Sequence, residues 1–322
     1  MFLIARVAVR SVRRLSSSFA RVELAGSELS EFGVDGPTYD QRIKIIFPGP
    51  SGRLPELRPD AWWQDFQALD DDQRCSMRTY TIRSVADAAP GAEPGFVVDF
   101  VVHPGAHGPG SDWACEAGPG DEVLVVVPRK GESGGGIEWA PPADADRLLL
   151  VGDETAVPAV ASILESLPAH AVGTAVLEVP QADDVQEVRA PAGVDVRWCV
   201  RDQAPIGSRS IAEVARVLGA GSPPVIQAGP DQAGPDQVGP DQVGPDRVDP
   251  DLWETPVYSS SGEQLDASSG EYLGPTGGSY AWVAGESGMV TALRRYLVKE
   301  LGMDRRQVAF MGYWRQGVAM RG

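Results

Sequence analysis

Apolar and polar residues alternate from Phe2 through Val22 and Leu24, and in an extended chain such alternation puts successive side chains on opposite faces. The pattern predicts paired strands at the start of the chain. Short apolar or alternating runs follow at Ile43 to Phe47, Arg78 to Val85, Phe96 to Val102 and Glu122 to Val127, separated by Gly, Pro and Asp clusters. Strands of this length with turn residues between them predict a closed antiparallel β-barrel.

From Arg147 the texture changes to apolar strands followed by amphipathic helices. RLLLVGDE leads into AVPAVASILESL, and GTAVLEVP precedes a helix near Ile211 to Leu218. SYAWVAGE leads into a helix from Gly288 to Glu300, and QVAFMGYW is the final strand. This alternation predicts a parallel sheet with crossover helices. With 322 residues the chain is long enough for two cores, so a barrel domain is expected over 1–142 and an α/β domain over 143–322. Between Ala228 and Asp251 runs a five-residue repeat, AGPDQ AGPDQ VGPDQ VGPDR VDPD, whose recurrent Pro and Asp oppose a packed element. With the Ser- and Gly-rich stretch that follows, it is read as a disordered insertion at about 221–278, interrupting the second domain without adding a third.

A formal charge of −17 and a pI near 4.6 oppose binding to a phosphate backbone, so nucleic acid is not an expected partner. Only Lys44, Lys130 and Lys299 are lysines, so arginine carries most of the positive charge. Cys75, Cys115 and Cys199 are too few and too widely spaced for a disulfide framework or a four-thiolate metal site, and a reducing cytoplasm is expected. The first twenty residues are rich in Arg and Ser, as in a transit peptide, but their alternation continues into the next strand and favours the barrel. No apolar run reaches the ~18 residues of a membrane span, so stable membrane insertion is not expected.

Chemistry is concentrated at a few turns and strands. In Arg78-Thr79-Tyr80-Thr81-Ile82-Arg83, an arginine suited to a diphosphate shares a face with Tyr80, and the next hydroxyl can reach a bound ring. Asp99 to His103 forms a second strand leading to Gly108-Pro109-Gly110-Ser111-Asp112-Trp113-Ala114, a glycine-rich turn before a short helix where backbone N–H groups can hold an anionic phosphate. After the strand Leu148 to Val151, Gly152-Asp153-Glu154-Thr155-Ala156 opens a helix at the carboxyl end of a parallel strand, where open α/β sheets bind ligands. Ala284-Gly285-Glu286 repeats that arrangement, while the absence of GxGxxG disfavours a standard Rossmann dehydrogenase.

Taken in order, RTYTIR, DFVVH, GPGSDWA, GDETAVPA, YAWVAGESGMVTALRRYL and GYWRQG resemble the siderophore-interacting protein family, FAD-containing ferric-siderophore reductases with a ferredoxin reductase-like fold. The resemblance covers nearly the whole chain. Gly110 stands where an Ala is usual, Val127 precedes Pro128 where a Gly is common, and Pro104 follows His103 where Gly is typical. The resemblance implies that Arg78, Thr79, Tyr80, Thr81, Arg83, Asp99, Val101, His103, Ser111, Trp113 and Ala114 contact FAD, with Tyr80 against the isoalloxazine and Thr81 near its N5. It implies that Gly152, Asp153, Glu154, Thr155, Ala156, Gly285 and Glu286 receive NADH or NADPH, and that Lys44, Arg129 and Arg315 hold an anionic ferric siderophore. The acids Glu178, Asp183 and Asp184 after the second strand of the nucleotide domain lean toward NADH. A general flavin reductase, a reductase serving ferredoxin and a non-catalytic siderophore carrier stand as alternatives, and the missing cysteine quartet argues against the iron–sulfur sister group.

Overall fold

The computed structural model describes residues 2–70, 73–86, 91–102, 108–132, 135–219, 253–255 and 278–317. The amino-terminal part contains strands β1 (Phe2–Arg14), β2 (Phe19–Ala25), β3 (Arg42–Phe47), β4 (Ser76–Thr81), β5 (Ser84–Val85), β6 (Gly95–Val101) and β7 (Glu122–Pro128). These form one antiparallel sheet in the order β4-β3-β7-β1-β2-β6-β5. The sheet curls until its edges are joined by a single stretch of chain, with β4 pairing to β3 and β5, three residues on, pairing to β6. A bulge between Val9 and Ser11 lets the long β1 bend and serve both β7 and β2.

Alternation sets the two faces of this sheet. Ala5, Val7 and Val9 enter the barrel interior with Val22, Ile45, Phe96, Phe100 and Val125, whereas Ile4 lies on the outside. That outer patch is covered by helix α1 (Trp62–Gln67), which the sequence pattern did not announce and which packs Trp62 and Phe66 over Ile46 and Met77. Helix α2 (Pro109–Glu116) seals the interior beside β6 with Trp113 and Ala114.

The second sheet contains β8 (Ala145–Gly152), β9 (Val172–Val179), β10 (Gly193–Val200), β11 (Trp253–Glu254), β12 (Gly278–Glu286) and β13 (Val308–Trp314), in the order β10-β9-β8-β12-β13-β11. All its pairings are parallel except that of β11 with β13. Helices α3 (Val157–Ser166), α4 (Ser208–Val217) and α5 (Ser287–Arg294) pack against it. Three features differ from expectation. β10 was missed because Asp195 and Arg197 break its apolar run. The helix expected from Gly288 to Glu300 changes at Arg295 into a wider π-helical turn. The short β11 pairs inside the stretch expected to lack packed elements, whereas residues 220–252 and 256–277 lie outside the described residues.

The two sheets are joined by apolar burial and buried carboxylates. Phe19, fully buried, enters the core around α3, with Leu15, Tyr39 and Val101 packed beside it. At the β1–β2 turn, buried Asp184 accepts hydrogen bonds from the Ser18 N–H (2.9 Å), the Ser18 hydroxyl (2.8 Å) and the Ser16 hydroxyl (2.6 Å), while Asp183 accepts from the Ser17 N–H and hydroxyl. Asp40, also buried, accepts from the N–H groups of Glu138 and Trp139 and from Trp282 Nε1 at 3.0 Å.

Burial pushes the Asp40 carboxyl up to about 6, against the opposing pull of those donors. The folded protein therefore holds this proton more tightly than the unfolded chain, whose aspartates titrate near ~3.9. The associated stability is fully present below the unfolded value and is lost as pH rises through about 6, amounting to about 3 kcal/mol. In urea titrations across that range, the stability difference between wild type and Asp40→Asn should move toward the variant by about 2 to 3 kcal/mol as pH rises. A difference that does not change with pH would contradict this assignment.

Candidate active site

At the barrel mouth, strand geometry puts Arg78 and Tyr80 on one face of β4. The Tyr80 ring lies 4.5 Å from Phe100, and Phe47 and Trp113 complete an aromatic cluster, with Trp113 at 5.3 Å from Phe47 and 5.5 Å from Phe100. Tyr80 keeps a partly exposed surface, and desolvation holds its phenol proton on. A Cβ on residue 110 would stand 1.9 Å from the Tyr80 hydroxyl, so Gly110 is what allows the tyrosine to lean against the first turn of α2.

The start of α2 suits an anion. Gly108 caps it without a side-chain hydrogen bond, Pro109 has no N–H to offer, the Asp112 N–H closes the turn on the Gly108 carbonyl at 2.8 Å, and the N–H groups of Gly110 and Ser111 have no partner within the helix. One nitrogen of Arg78 donates to the Met77 carbonyl at 2.7 Å, which leaves further donors on its guanidinium. A half-open ring, an arginine on the same face and an uncapped helix start together fit the ring and diphosphate of FAD.

The other residues expected at FAD are more dispersed. Ser111 lies half-buried in the first turn of α2, while Ala114 faces the barrel core. Thr79 is exposed and accepts from Lys44 Nζ at 2.7 Å, and Thr81 is buried on that same outer face. Asp99 is clasped by Arg21 through two bonds of 2.6 and 2.7 Å, Arg83 reaches across to Glu165 on α3 at 2.7 and 2.9 Å, and Val101 packs into the α3 core. Arg83 and Val101 thus reach the second domain, whereas the Arg21–Asp99 pair joins β2 to β6 within the barrel. His103 lies outside the described residues.

On the nucleotide side, the ends of β8 and β12 adjoin at the point where strand order reverses, as ligand binding in such sheets requires. Thr155 and Ala156 open α3 there. The glycines serve the protein's own packing: a Cβ at Gly152 would meet the Ala156 Cβ at 2.6 Å, and one at Gly285, where φ is +140°, would meet Asp153 at 2.6 Å. All three acids expected to receive the nucleotide point inward. Oδ1 of Asp153 accepts from the N–H and hydroxyl of Thr155, and Oδ2 accepts from the Glu286 N–H and Trp314 Nε1. Burial and the neighbouring Glu154 charge raise the Asp153 carboxyl. Glu154 is paired with Arg201 at 2.8 and 2.9 Å, and Glu286 caps α5 through the N–H groups of Gly288 and Met289.

The acids that leaned toward NADH are committed as well. Glu178 accepts from Arg201 and from the N–H groups of Gly207, Arg209 and Ser210, so its carboxylate caps α4, while Asp183 and Asp184 bind the β1–β2 turn. The preference inferred from them loses its basis. Of the three expected substrate cations, Lys44 is partly buried, and desolvation followed by the nearby Arg42 lowers its ammonium from the usual lysine value. Arg129 is ion-paired with Glu31, and Arg315 is exposed on the segment that follows β13.

Among the described residues no group of His, Cys, Asp and Glu side chains forms a metal site, and no helix is long and apolar enough to cross a membrane. Sequence reasoning passed over Arg21, Asp40, Glu165 and Arg201. Their partners lie at distant positions in the chain, so no local pattern marks them.

Asp153→Asn tests the inward reading of the first acid. Whichever way an amide is turned, its NH2 faces donors, a cost of about 2 to 4 kcal/mol. Urea denaturation should show that loss together with a changed Trp314 emission; stability within ~0.5 kcal/mol of wild type would refute it.

Comparison with known proteins agrees with the geometry. Residues 8–132 match the siderophore-interacting FAD-binding domain and residues 145–317 the siderophore-interacting protein domain. An uncharacterized protein of Mycobacterium tuberculosis is 38% identical over 196 residues, 60% of this chain and 64% of that protein, so the match spans just under two thirds of its length. The ferric vibriobactin reductase ViuB of Vibrio cholerae is 30% identical over 225 residues, covering 68% of this chain and 75% of the relative. The crystal structure of a siderophore utilization protein from T. fusca aligns over 99% of this chain and 95% of its own, with a TM-score of 0.64 and 28% identity. The architecture is ferredoxin reductase-like. With a curled antiparallel sheet, a parallel sheet and both domain matches in the same order, the chain belongs to the siderophore-interacting protein family.

Proposed function

We propose that this chain is an FAD-dependent reductase that takes electrons from NADH or NADPH and passes them to ferric siderophores. The observation that carries the reading is the placement of Arg78 and Tyr80 beside the uncapped start of α2. Its match to an FAD-binding domain and its likeness to a ferric vibriobactin reductase support the assignment. When bound, FAD supplies the conversion between a two-electron hydride donor and one-electron transfer to iron.

The side chains have distinct tasks in this reading. Arg78 and the first turn of α2 anchor the diphosphate, and Tyr80 offers its ring to the flavin. A cleft of about 710 Å³, lined by Pro48, Arg53, Trp113 and the acids Glu56, Glu116 and Asp121, lies beside the carboxyl end of α2. Thr155, Ala156 and the backbone of Gly152 and Gly285 receive the nicotinamide nucleotide, while Asp153 and Glu286 keep the ends of β8, β12 and β13 in place for it. Lys44, Arg129 and Arg315 attract the anionic chelate. Fe(II) is held far less strongly than Fe(III) by hard oxygen ligands, so reduction makes the iron exchangeable without cleaving the chelator.

The test is spectroscopic. Purified protein should bind FAD, bleach anaerobically with NADH or NADPH, and regain the oxidised spectrum when a ferric siderophore is added while Fe(II) appears. Protein that binds no FAD, or whose reduced form ignores ferric chelates, would overturn the reading. Arg78→Ala should weaken FAD binding about 10- to 100-fold by removing charge-assisted hydrogen bonds to the diphosphate. Unaltered FAD affinity would exclude Arg78 as the anchor.

A further inference from the structure

The cations proposed for the substrate are not equally available in this acidic chain. Lys44 sits opposite Val126 in the β3–β7 register, and Arg129 follows three residues further on, just beyond the end of β7. Lys44 Nζ donates to a neutral hydroxyl, that of Thr79. Arg129 instead donates to the carboxylate of Glu31, at the end of the short 3-10 turn Ser27–Glu31.

The backbone that carries this carboxylate is held beside Arg129 by the fold. Leu29, in the same turn, is fully buried in the barrel core, the Lys130 N–H donates to the Glu31 carbonyl at 2.8 Å, and Phe32 forms a β-bridge with Arg129. The pair remains open to solvent, with the Glu31 side chain 61% exposed and that of Arg129 32% exposed. An anion arriving at this guanidinium therefore meets a tethered carboxylate already in place.

We infer that Glu31 is a specificity-determining residue: its carboxylate occupies Arg129 in competition with an anionic ferric chelate and so weakens the preference of the site for highly charged substrates. The inference rests on the proposed function, in which Arg129 belongs to the substrate cations. A trianionic chelate must displace Glu31 to gain Arg129, whereas a neutral chelate gains nothing from doing so. Exposed pairs of this kind contribute less than about 1 kcal/mol, which bounds the effect at roughly 3- to 5-fold.

The experiment measures KM for a trianionic ferric tris-catecholate and a neutral ferric trihydroxamate, using the full chain loaded with FAD, for wild type, Glu31→Gln, Arg129→Gln and the double variant. Anaerobic bleaching by the nicotinamide donor, recorded before any chelate is added, reports on folding and flavin loading. Glu31→Gln should lower the KM for the tris-catecholate about 3- to 5-fold relative to that for the trihydroxamate. In the Arg129→Gln background the same change should leave the ratio of the two KM values where it was, because the competition needs the arginine. A wild type that reduces both chelates, with a ratio unaltered by Glu31→Gln or altered equally without Arg129, would overturn the inference and leave the proposed function standing. A wild type that bleaches but reduces neither chelate would overturn both.

Discussion

Buried carboxylates saturated by N–H and O–H donors are the constraint on which the arrangement of the two sheets depends. Asp40, Asp153 and Asp184 are each almost completely withdrawn from solvent, and each accepts hydrogen bonds from segments far apart in the chain. An ionised carboxylate without partners would be costly to bury, so the donors of Asp40 and Asp184 fix where the barrel and the parallel sheet meet, and those of Asp153 fix the strand ends within the parallel sheet. Asp184 holds the β1–β2 turn, Asp40 reaches Trp282 on β12, and Asp153 ties the ends of β8, β12 and β13 together. The Arg21–Asp99 and Arg83–Glu165 pairs run along the same seam.

This constraint also shapes the site. With Asp153, Glu154, Glu178 and Glu286 committed to arginine, helix starts and strand ends, the nucleotide side is left with backbone, Thr155 and small residues. The barrel side keeps a partly open tyrosine, an arginine with donors to spare and an uncapped helix start. Rigid, saturated groups surround a small set of groups that still have bonding capacity, an arrangement suited to positioning a cofactor.

Much of the fold was legible because periodicity reports burial. β3, β6 and β7 coincide with the apolar runs within a residue or two, and the change at Arg147 marks the passage from antiparallel to parallel pairing. β10 escaped notice because its side chains alternate with charges that pair locally, Arg197 with Asp195 and Glu213. For the site, the pattern located the turns that matter but not the direction in which their side chains point. Asp153, Glu154 and Glu286 look like ligand groups in a strand-to-helix turn, yet their partners are Trp314, Arg201 and the first turn of α5, whose proximity only the fold reveals. Gly110 is the opposite case: an unusual residue in the sequence that the structure explains through the Tyr80 hydroxyl.

The most direct measurement is a crystal structure of the protein with FAD bound. The account predicts a diphosphate within hydrogen-bond reach of the Arg78 guanidinium and the first turn of α2, with the isoalloxazine against Tyr80 and its free edge toward the ends of β8 and β12. A flavin bound elsewhere, with Arg78 and that helix start in contact with protein or water alone, would contradict it.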